Sequence, residues 1–464
     1  MFLKPKFPYL AVASLSAQHF CIMVNIYTYY KKGDKMNKKG TKGIKCIKIT
    51  ENEKFLSDLD GLLKIKTVRG DCGEVTKEAP LGKGINDAIE YMLKIGDSFG
   101  FKTKNLEGYC GYIEMGEGEE LLGILCHLDV VSADGDWICE PFGATLIDEK
   151  IYGRGILDDK GAALLSLYAM KKVSECGIKL NKRVRLILGG DEETGTWECI
   201  KRYKETEEIP TIGFTPDGEF PVVFAEKGLL KIKISGNYSI EDESFLFEGG
   251  KVVNIVPDFA KCVINNKEYT KKGIPAHASE PHKGDNAIIN LGKELFKINK
   301  ENPYLKLLSI ASNEGFDIKL CDEPSGQLTI NPSVAKADCK SGSLICDIRY
   351  PVTYKLEDFI GNIENAVKPL GFKVEVLSHD IPLYVEKDSH LVSTLRKVYE
   401  NRTGDKSEPI SMGGGTYAKA FPNTVAFGLI FLDSESGCHV ANEFMKFSEM
   451  EKCFDILCDA IVKL

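Results

Sequence analysis

The stretch LLGILCHLDVV, residues 121–131, decides how this chain folds. It is an almost unbroken apolar run, whereas a strand with one exposed face alternates apolar and polar side chains. The run therefore predicts a strand buried on both faces, as in the middle of a largely parallel sheet. It contains His127 and Asp129, two residues apart, in a chain with only seven histidines. Polar residues at the end of a buried strand indicate a functional site.

Two later segments extend this pattern. ILDDKGAALLSLYAMKKVSECG, residues 156–177, predicts a loop followed by a helix that ends at Gly177. RVRLILGGDEE, residues 183–193, predicts a second buried strand over 184–188, stopped by a glycine pair. An earlier segment, residues 86–98, has apolar residues at helical spacing. Strands alternating with helices predict an open α/β sheet.

The pattern changes after Lys227 and Gly228, where short alternating strands with helical stretches between them indicate an α+β domain. Near His379 the α/β pattern returns, with a helix over 391–399 and an apolar strand NTVAFGLIFL, residues 423–432. The second domain is therefore expected to be an insertion within the first. The predicted division is an N-terminal extension (1–50), an α/β domain in two parts (51–228 and 379–464) and an inserted domain (229–378).

Composition excludes several classes of protein. Hydrophobic residues make up 43% and charged residues 28%, which is typical of a soluble globular protein. The net charge of -8 argues against a nucleic-acid partner, which requires clustered Lys and Arg. The 15 cysteines include no C-x-x-C pair and are interpreted as reduced thiols in a cytoplasmic protein.

The first 35 residues differ from the rest. Residues 9–30 are mostly apolar but are interrupted by polar side chains, so they do not resemble a regular membrane-spanning helix. The preferred interpretation is a poorly ordered extension, with an upstream start ahead of Met36. A weak membrane anchor is the alternative that the sequence leaves open.

Acidic and histidine residues gather where the predicted strands end. Ligands bind at that edge of an open α/β sheet, and Zn²⁺ accepts imidazole and carboxylate donors. Taken singly, His127 also fits a core histidine, and Asp217 fits a turn in Pro-Asp-Gly. The adjacent Glu192 and Glu193 repel each other unless cations offset their charge. The candidate metal ligands and supporting residues are His127, Asp129, Asp158, Asp159, Glu192, Glu193, Asp217 and His439.

Six motifs in order then identify a resemblance. They are GILCHLDVV, IYGRGILDDKGA, GGDEETG, TPDGEFPV, GIPAHAS and CHVANE. Together they resemble the M20 metallopeptidases, and DIRYPV and GGGTYA are most similar to the PepV-type dipeptidase branch. The resemblance runs from about Glu51 to the C-terminus. It implies a zinc-peptidase catalytic domain, with an open and mostly parallel sheet, and an inserted α+β lid domain.

The resemblance also implies a site with two Zn²⁺ ions, for which Co²⁺ or Mn²⁺ could substitute. His127 and Asp217 would hold one ion, Glu193 and His439 the other, and Asp158 would bridge them. Asp129 is expected to accept the proton of the His127 ring and fix its tautomer. Glu192 would be the general base, and Asp159 has no assigned role.

The lid would supply the substrate contacts. His277 in GIPAHAS is expected to stabilise the oxyanion, assisted by Asn254. Arg349 would hold the substrate's C-terminal carboxylate, and a buried ion pair with Asp347 is its alternative role. The backbone N–H groups of Gly414 and Gly415 could bind the same carboxylate, or the glycine run could be a plain turn.

The leading hypothesis is therefore hydrolysis of a small peptide, namely a dipeptide. A deacylase of N-acyl amino acids is the alternative within the family, and an inactive metal- or peptide-binding protein is the alternative outside it. The stretch between Asn254 and His277 is short. The lid geometry, and the choice between a monomer and a homodimer, stay open.

Overall fold

The computed structural model describes residues 48–464. Nearly all of the predicted N-terminal extension, including Met36 and the alternative of a membrane anchor, lies outside the described residues.

The first part of the described chain begins with two helices and five successive strands, and strands and helices alternate only after them. Its elements are α1 (Glu53–Lys64), α2 (Lys83–Ser98), β1 (Lys102–Leu106), β2 (Cys110–Gly116), β3 (Leu121–His127), β4 (Thr145–Ile147), β5 (Lys150–Tyr152), α3 (Lys160–Glu175), β6 (Arg183–Gly189), α4 (Glu198–Thr206), β7 (Ile212–Thr215), β8 (Gly218–Glu219) and β9 (Val223–Glu226).

Long antiparallel strands dominate the middle of the chain. Its elements are β10 (Gly228–Asn237), β11 (Leu246–Gly249), β12 (Phe259–Ile264), β13 (Lys267–Lys272), α5 (Ala287–Phe296), α6 (Pro303–Ile310), β14 (Cys321–Asp322), β15 (Gly326–Gln327), β16 (Thr329–Asp338), β17 (Ser341–Tyr350), α7 (Ile360–Val367) and β18 (Phe372–Asp380). This section is called the lid domain below.

Short strands and two long helices complete the chain. They are β19 (Leu383–Tyr384), α8 (His390–Thr403), β20 (Ile410–Met412), β21 (Thr424–Ala426), β22 (Leu429–Ile430), β23 (Phe444–Lys446) and α9 (Phe447–Lys463). The predicted single strand over residues 423–432 is wrong, because β21 and β22 are separated at Phe427 and Gly428. Gly428 has a positive φ of 88°, which breaks the extended backbone.

The catalytic part is built on a nine-stranded sheet with the order β1-β2-β6-β3-β7-β21-β9-β19, and β20 pairs with β9. The central strand β3 is parallel to both of its neighbours, β6 and β7. All seven of its residues are buried. This confirms the prediction of a largely parallel sheet whose central strand is covered on both faces.

The lid domain has a separate seven-stranded sheet, in the order β13-β12-β11-β16-β17-β10-β18. Its strands are antiparallel. Two hydrophobic cores correspond to the two sheets. One includes residues before Glu226 and after Leu383, and the other lies between Leu230 and Phe372. The chain therefore leaves the first core, builds the second, and returns to complete the first.

Candidate metal centre and active site

The candidate ligands meet at one edge of the nine-stranded sheet. His127 is the last residue of β3, Glu192 and Glu193 follow β6 by a short loop, and Asp217 follows β7. Because these three strands are parallel, their carboxyl ends lie side by side. The loops after them bring imidazole and carboxylate groups into one cluster.

Asp158 lies between two histidines. Its Oδ1 is 2.9 Å from His127 Nε2, and its Oδ2 is 2.9 Å from His439 Nε2. His127 Nε2 is also 3.6 Å from Asp217 Oδ2, whereas His439 Nε2 is 3.1 Å from Glu193 Oε2. The structure thus brings together two pairs, His127 with Asp217 and His439 with Glu193, on opposite oxygens of one shared carboxylate.

The His127 ring is oriented by a backbone group. Its Nδ1 lies 2.9 Å from the carbonyl oxygen of Asp129 and 3.6 Å from that residue's carboxylate. A carbonyl oxygen only accepts, so Nδ1 carries the proton. The expected hydrogen bond to the Asp129 carboxylate is therefore replaced by one to its carbonyl oxygen. In the neutral ring, the Nε2 lone pair faces the oxygens of Asp158 and Asp217.

The Asp129 carboxylate holds the adjacent glutamates instead. Its two oxygens accept the backbone N–H groups of Glu192, at 3.2 Å, and Glu193, at 3.1 Å. The buried carboxylate of Asp191 anchors the other end of the same loop, accepting from Glu198 N and Cys199 N. The loop that carries both glutamates is thus fixed from each side.

The cluster carries more negative than positive charge. Burial raises the pKa of Glu192 well above its usual value, and Asp217 and Glu193 raise it further. Burial and Asp158 likewise raise the pKa of Asp217. Hydrogen bonds to Asp158 and Glu193 raise the pKa of His439 to about 10. Burial and neighbouring carboxylates thus favour the protonated forms of Glu192 and Asp217, and hydrogen bonds to carboxylates favour the charged form of His439.

These observations fit a divalent metal ion. Ligand atoms of His127, Asp158 and Glu193 all lie within 4.8 Å of one another. The buried His127 Nε2 and Glu193 Oε1 have no hydrogen-bond partner among the residues that the structure describes. Imidazole nitrogen and carboxylate oxygen are donors that Zn²⁺ accepts. A cation at this position would satisfy both atoms and offset the repulsion.

The lid supplies a neutral histidine. Burial and the Arg349 guanidinium lower the pKa of His277. Its Nδ1 accepts from the backbone N–H of Ser279 at 3.3 Å and lies 2.6 Å from Ser279 Oγ. The proton of the neutral ring is therefore on Nε2, which is free to donate. Asn254 is placed next to this segment because its carbonyl accepts from Ala278 N at 2.9 Å.

Arg349 forms the ion pair that the sequence left open as its alternative role. Its Nε and Nη2 donate to the two carboxylate oxygens of Asp347, at 2.5 and 2.8 Å. Its Nη1 donates to the carbonyl oxygen of Gly413 at 2.9 Å. The lid arginine thus contacts the glycine run of the catalytic part, beside Gly414 and Gly415. These bonds leave one N–H group on Nη1 and one on Nη2, called the outer N–H groups below, to bind a substrate.

A family model described as Peptidase family M20/M25/M40 matches residues 123–463. The chain belongs to the M20 peptidase family. It is therefore a metal-dependent hydrolase, and His127, Asp158 and Glu193 form a group that could hold a metal ion.

Similar proteins support this assignment. The M20 peptidase is 35% identical over 463 residues to a protein of Staphylococcus epidermidis named "Putative dipeptidase", covering 90% of this chain and 98% of that protein. Among solved structures it resembles aminoacylhistidine dipeptidase from Vibrio alginolyticus, with a TM-score of 0.59, 14% identity and coverage of 88% and 96%. Human carnosine dipeptidase 1 gives a TM-score of 0.58, 13% identity and coverage of 96% and 99%. The two structures show the common fold.

Sequence reasoning missed a residue that supports the bridging position. The carboxylate of Glu443 is fully buried and accepts from the backbone N–H groups of Gly155, at 3.2 Å, and Leu157, at 2.8 Å. It also pairs with Arg154 at 2.6 Å. Glu443 therefore fixes the backbone just before Asp158. The available signal was its place in CHVANE, four residues after His439.

The residues that the structure describes include no helix with both the length and the apolar character needed to cross a bilayer.

Proposed function

We propose that this M20 peptidase hydrolyses the peptide bond of dipeptides at a centre of two metal ions, with Zn²⁺ as the physiological metal. The observation that carries the proposal is the position of Asp158, whose two oxygens each lie 2.9 Å from a different histidine. A single shared carboxylate with a separate ligand pair on each side suits two adjacent ions. The name of the Staphylococcus epidermidis relative supports a dipeptide as substrate.

In this proposal His127 and Asp217 would hold one ion, His439 and Glu193 would hold the other, and Asp158 would be shared between them. Co²⁺ or Mn²⁺ could replace Zn²⁺, because all three accept nitrogen and oxygen donors. When bound, the ions polarise the scissile carbonyl and lower the pKa of a water molecule.

Glu192 is the proposed general base. It is not paired with either histidine, and burial together with the neighbouring carboxylates raises the pKa of its side chain. A raised pKa makes a carboxylate a better proton acceptor, as a general base requires. We assign Glu192 to take a proton from the attacking water and deliver it to the leaving amine.

The remaining residues position the substrate. The His277 Nε2–H donates to the oxygen of the scissile carbonyl as negative charge develops there, with Asn254 beside it. The C-terminal carboxylate lies against the outer N–H groups of Arg349 and the backbone of Gly414 and Gly415. Asp347 orients the guanidinium through its bidentate contact.

A substrate panel on purified, metal-loaded protein tests the proposal. Dipeptides, tripeptides and N-acetyl amino acids are compared by kcat/KM with added Zn²⁺, Co²⁺ or Mn²⁺. We expect dipeptides to be cleaved at least tenfold more efficiently than the other two classes. Faster cleavage of N-acetyl amino acids would overturn the dipeptidase assignment in favour of a deacylase, and faster cleavage of tripeptides would show that the site does not read both ends of a dipeptide.

A further inference from the structure

Two cationic side chains flank the glycine run between the lid and the catalytic part. From the lid, Arg349 Nη1 donates to Gly413 O at 2.9 Å. From the catalytic part, the side chain of Lys419 lies over Gly415. A Cβ placed on Gly415 would lie 3.3 Å from Lys419 Nζ and 3.4 Å from its Cε. The nearest atom to that Cβ would be Leu229 Cδ1, at 3.0 Å, so Gly415 packs closely against both Leu229 and Lys419.

The two cations differ in how their charge is compensated. The Asp347 carboxylate binds Arg349 through both oxygens, so that pair is neutral as a unit. Lys419 Nζ donates to the carbonyl oxygen of Lys227 at 2.7 Å. Within residues 48–464, no carboxylate lies within 4.0 Å of this ammonium group. An ammonium group has three donors, so Lys419 is a half-buried cation with donors to spare.

Charged groups of both the lid and the catalytic part act on Lys419. Burial lowers its pKa to about 8, as expected for an ammonium group without a close counter-ion. The charged groups that act on it are Glu226, Asp380, Arg349 and Glu192. Glu226 is the largest of these charges, but burial raises its pKa to about 7, so near neutral pH it offsets the Lys419 charge only in part. Lys419 therefore feels both the proposed base and the lid arginine.

The glycine run offers further donors next to the lysine. The backbone N–H groups of Gly414 and Gly415 make no hydrogen bond within the described part of the chain. Successive free N–H groups in a glycine-rich turn form a concave binding site for an anion. A carboxylate bound there would meet these two groups, the Lys419 ammonium and the outer edge of Arg349.

We propose that Lys419 supplies the net positive charge that binds the C-terminal carboxylate of the substrate, and is thus a specificity-determining residue of this peptidase. This inference rests on the proposed dipeptidase function. Arg349 and Asp347 form an ion pair without net charge at the side of the site. Lys419 provides the charge that distinguishes a free carboxylate from an amide.

The test compares alanyl-alanine with alanyl-alanine amide. The kcat/KM values of both compounds are measured for the wild type, Lys419→Met, Lys419→Arg and the exposed control Lys300→Met. We expect Lys419→Met to lose about 100-fold on the free acid and less than about threefold on the amide, since a buried charge-assisted contact is lost only with the acid. Lys419→Arg should recover most of the loss, and Lys300→Met should match the wild type.

An equal loss on acid and amide would overturn the proposal, because it would assign Lys419 only the structural contact to Lys227. An unchanged preference for the acid in Lys419→Met would overturn it as well.

A binding measurement tests the role of Lys419 independently of the proposed dipeptidase activity. Both compounds are titrated calorimetrically into metal-loaded Glu192→Gln protein, with and without Lys419→Met. Tighter binding of the acid that is lost with Lys419→Met supports the role of Lys419, even if the wild type cleaves neither compound and the dipeptidase assignment fails. Binding of acid and amide with equal affinity overturns the role of Lys419.

Discussion

Asp129 Oδ2 accepts the backbone N–H of Glu193 at 3.1 Å, so the segment that follows β3 holds the loop after β6. The other oxygen does the same for Glu192, while the Asp129 carbonyl orients His127. Asp129 therefore positions both the candidate ligand His127 at the end of β3 and the two glutamates in the loop after β6.

Asp129→Asn should disturb that arrangement without changing the size of the side chain. The amide NH₂ would face one of the two backbone N–H groups, and two donors in contact repel each other. We expect metal affinity and kcat each to fall about 10- to 100-fold, as is usual when a group that orients metal ligands is lost. Titration calorimetry with Zn²⁺ and steady-state kinetics measure this. The exposed Asp136 provides the matched control, Asp136→Asn, and equal behaviour of the two variants would contradict the role of Asp129.

Substitutions of the two adjacent glutamates should have different effects on metal binding and on kcat. Glu192→Gln is expected to retain metal and to lose about 10²- to 10⁴-fold in kcat, because the proton acceptor is gone. Glu193→Gln is expected to weaken metal binding, because it removes the carboxylate 3.1 Å from His439. Metal content after dialysis, measured by mass spectrometry beside kcat, distinguishes them. Equal metal loss in both variants would show that the proposed base and ligand are not distinct.

Glu443 should be important for stability. Glu443→Ala leaves Arg154 as an unpaired buried cation and frees the N–H groups of Gly155 and Leu157. Breaking a buried ion pair in this way costs about 3 to 5 kcal/mol in the free energy of unfolding. Urea unfolding measures it, with the exposed Glu301→Ala as control. The double variant Arg154→Ala/Glu443→Ala should cost less than the sum of the single variants, and strict additivity would rule out the pair as the cause.

His277→Ala should lower kcat by about 10²- to 10³-fold with little change in KM, since an oxyanion donor acts in the transition state. The control His282→Ala removes an exposed histidine from the same segment of the lid. If KM rises while kcat stays constant, His277 binds the substrate in its ground state and has no role in stabilising the oxyanion.

The sequence predicts those parts of the fold that depend on a local pattern of apolar residues. The apolar run over residues 121–131 predicted a strand buried on both faces, and β3 has parallel neighbours on each side. The motif order also predicted the residues that gather around Asp158. The interruption of residues 423–432 was missed, because apolar content alone does not reveal the left-handed backbone at Gly428.

Contacts between distant segments could not be derived in this way. Glu443 reaches a loop 286 residues away in sequence at Leu157. Lys419 contacts the carbonyl of Lys227 across 192 residues. The pair of Asp347 and Arg349 stayed open for another reason. Two side chains two residues apart share a face only in a regular strand, and β17 extends through both positions.

We propose above that two metal ions share Asp158. Anomalous diffraction from crystals of the zinc-loaded protein, collected at the zinc absorption edge, tests it directly. We expect two anomalous peaks of similar height, one beside His127 and Asp217 and the other beside His439 and Glu193, with Asp158 between them. A single peak in protein that retains full activity would contradict it.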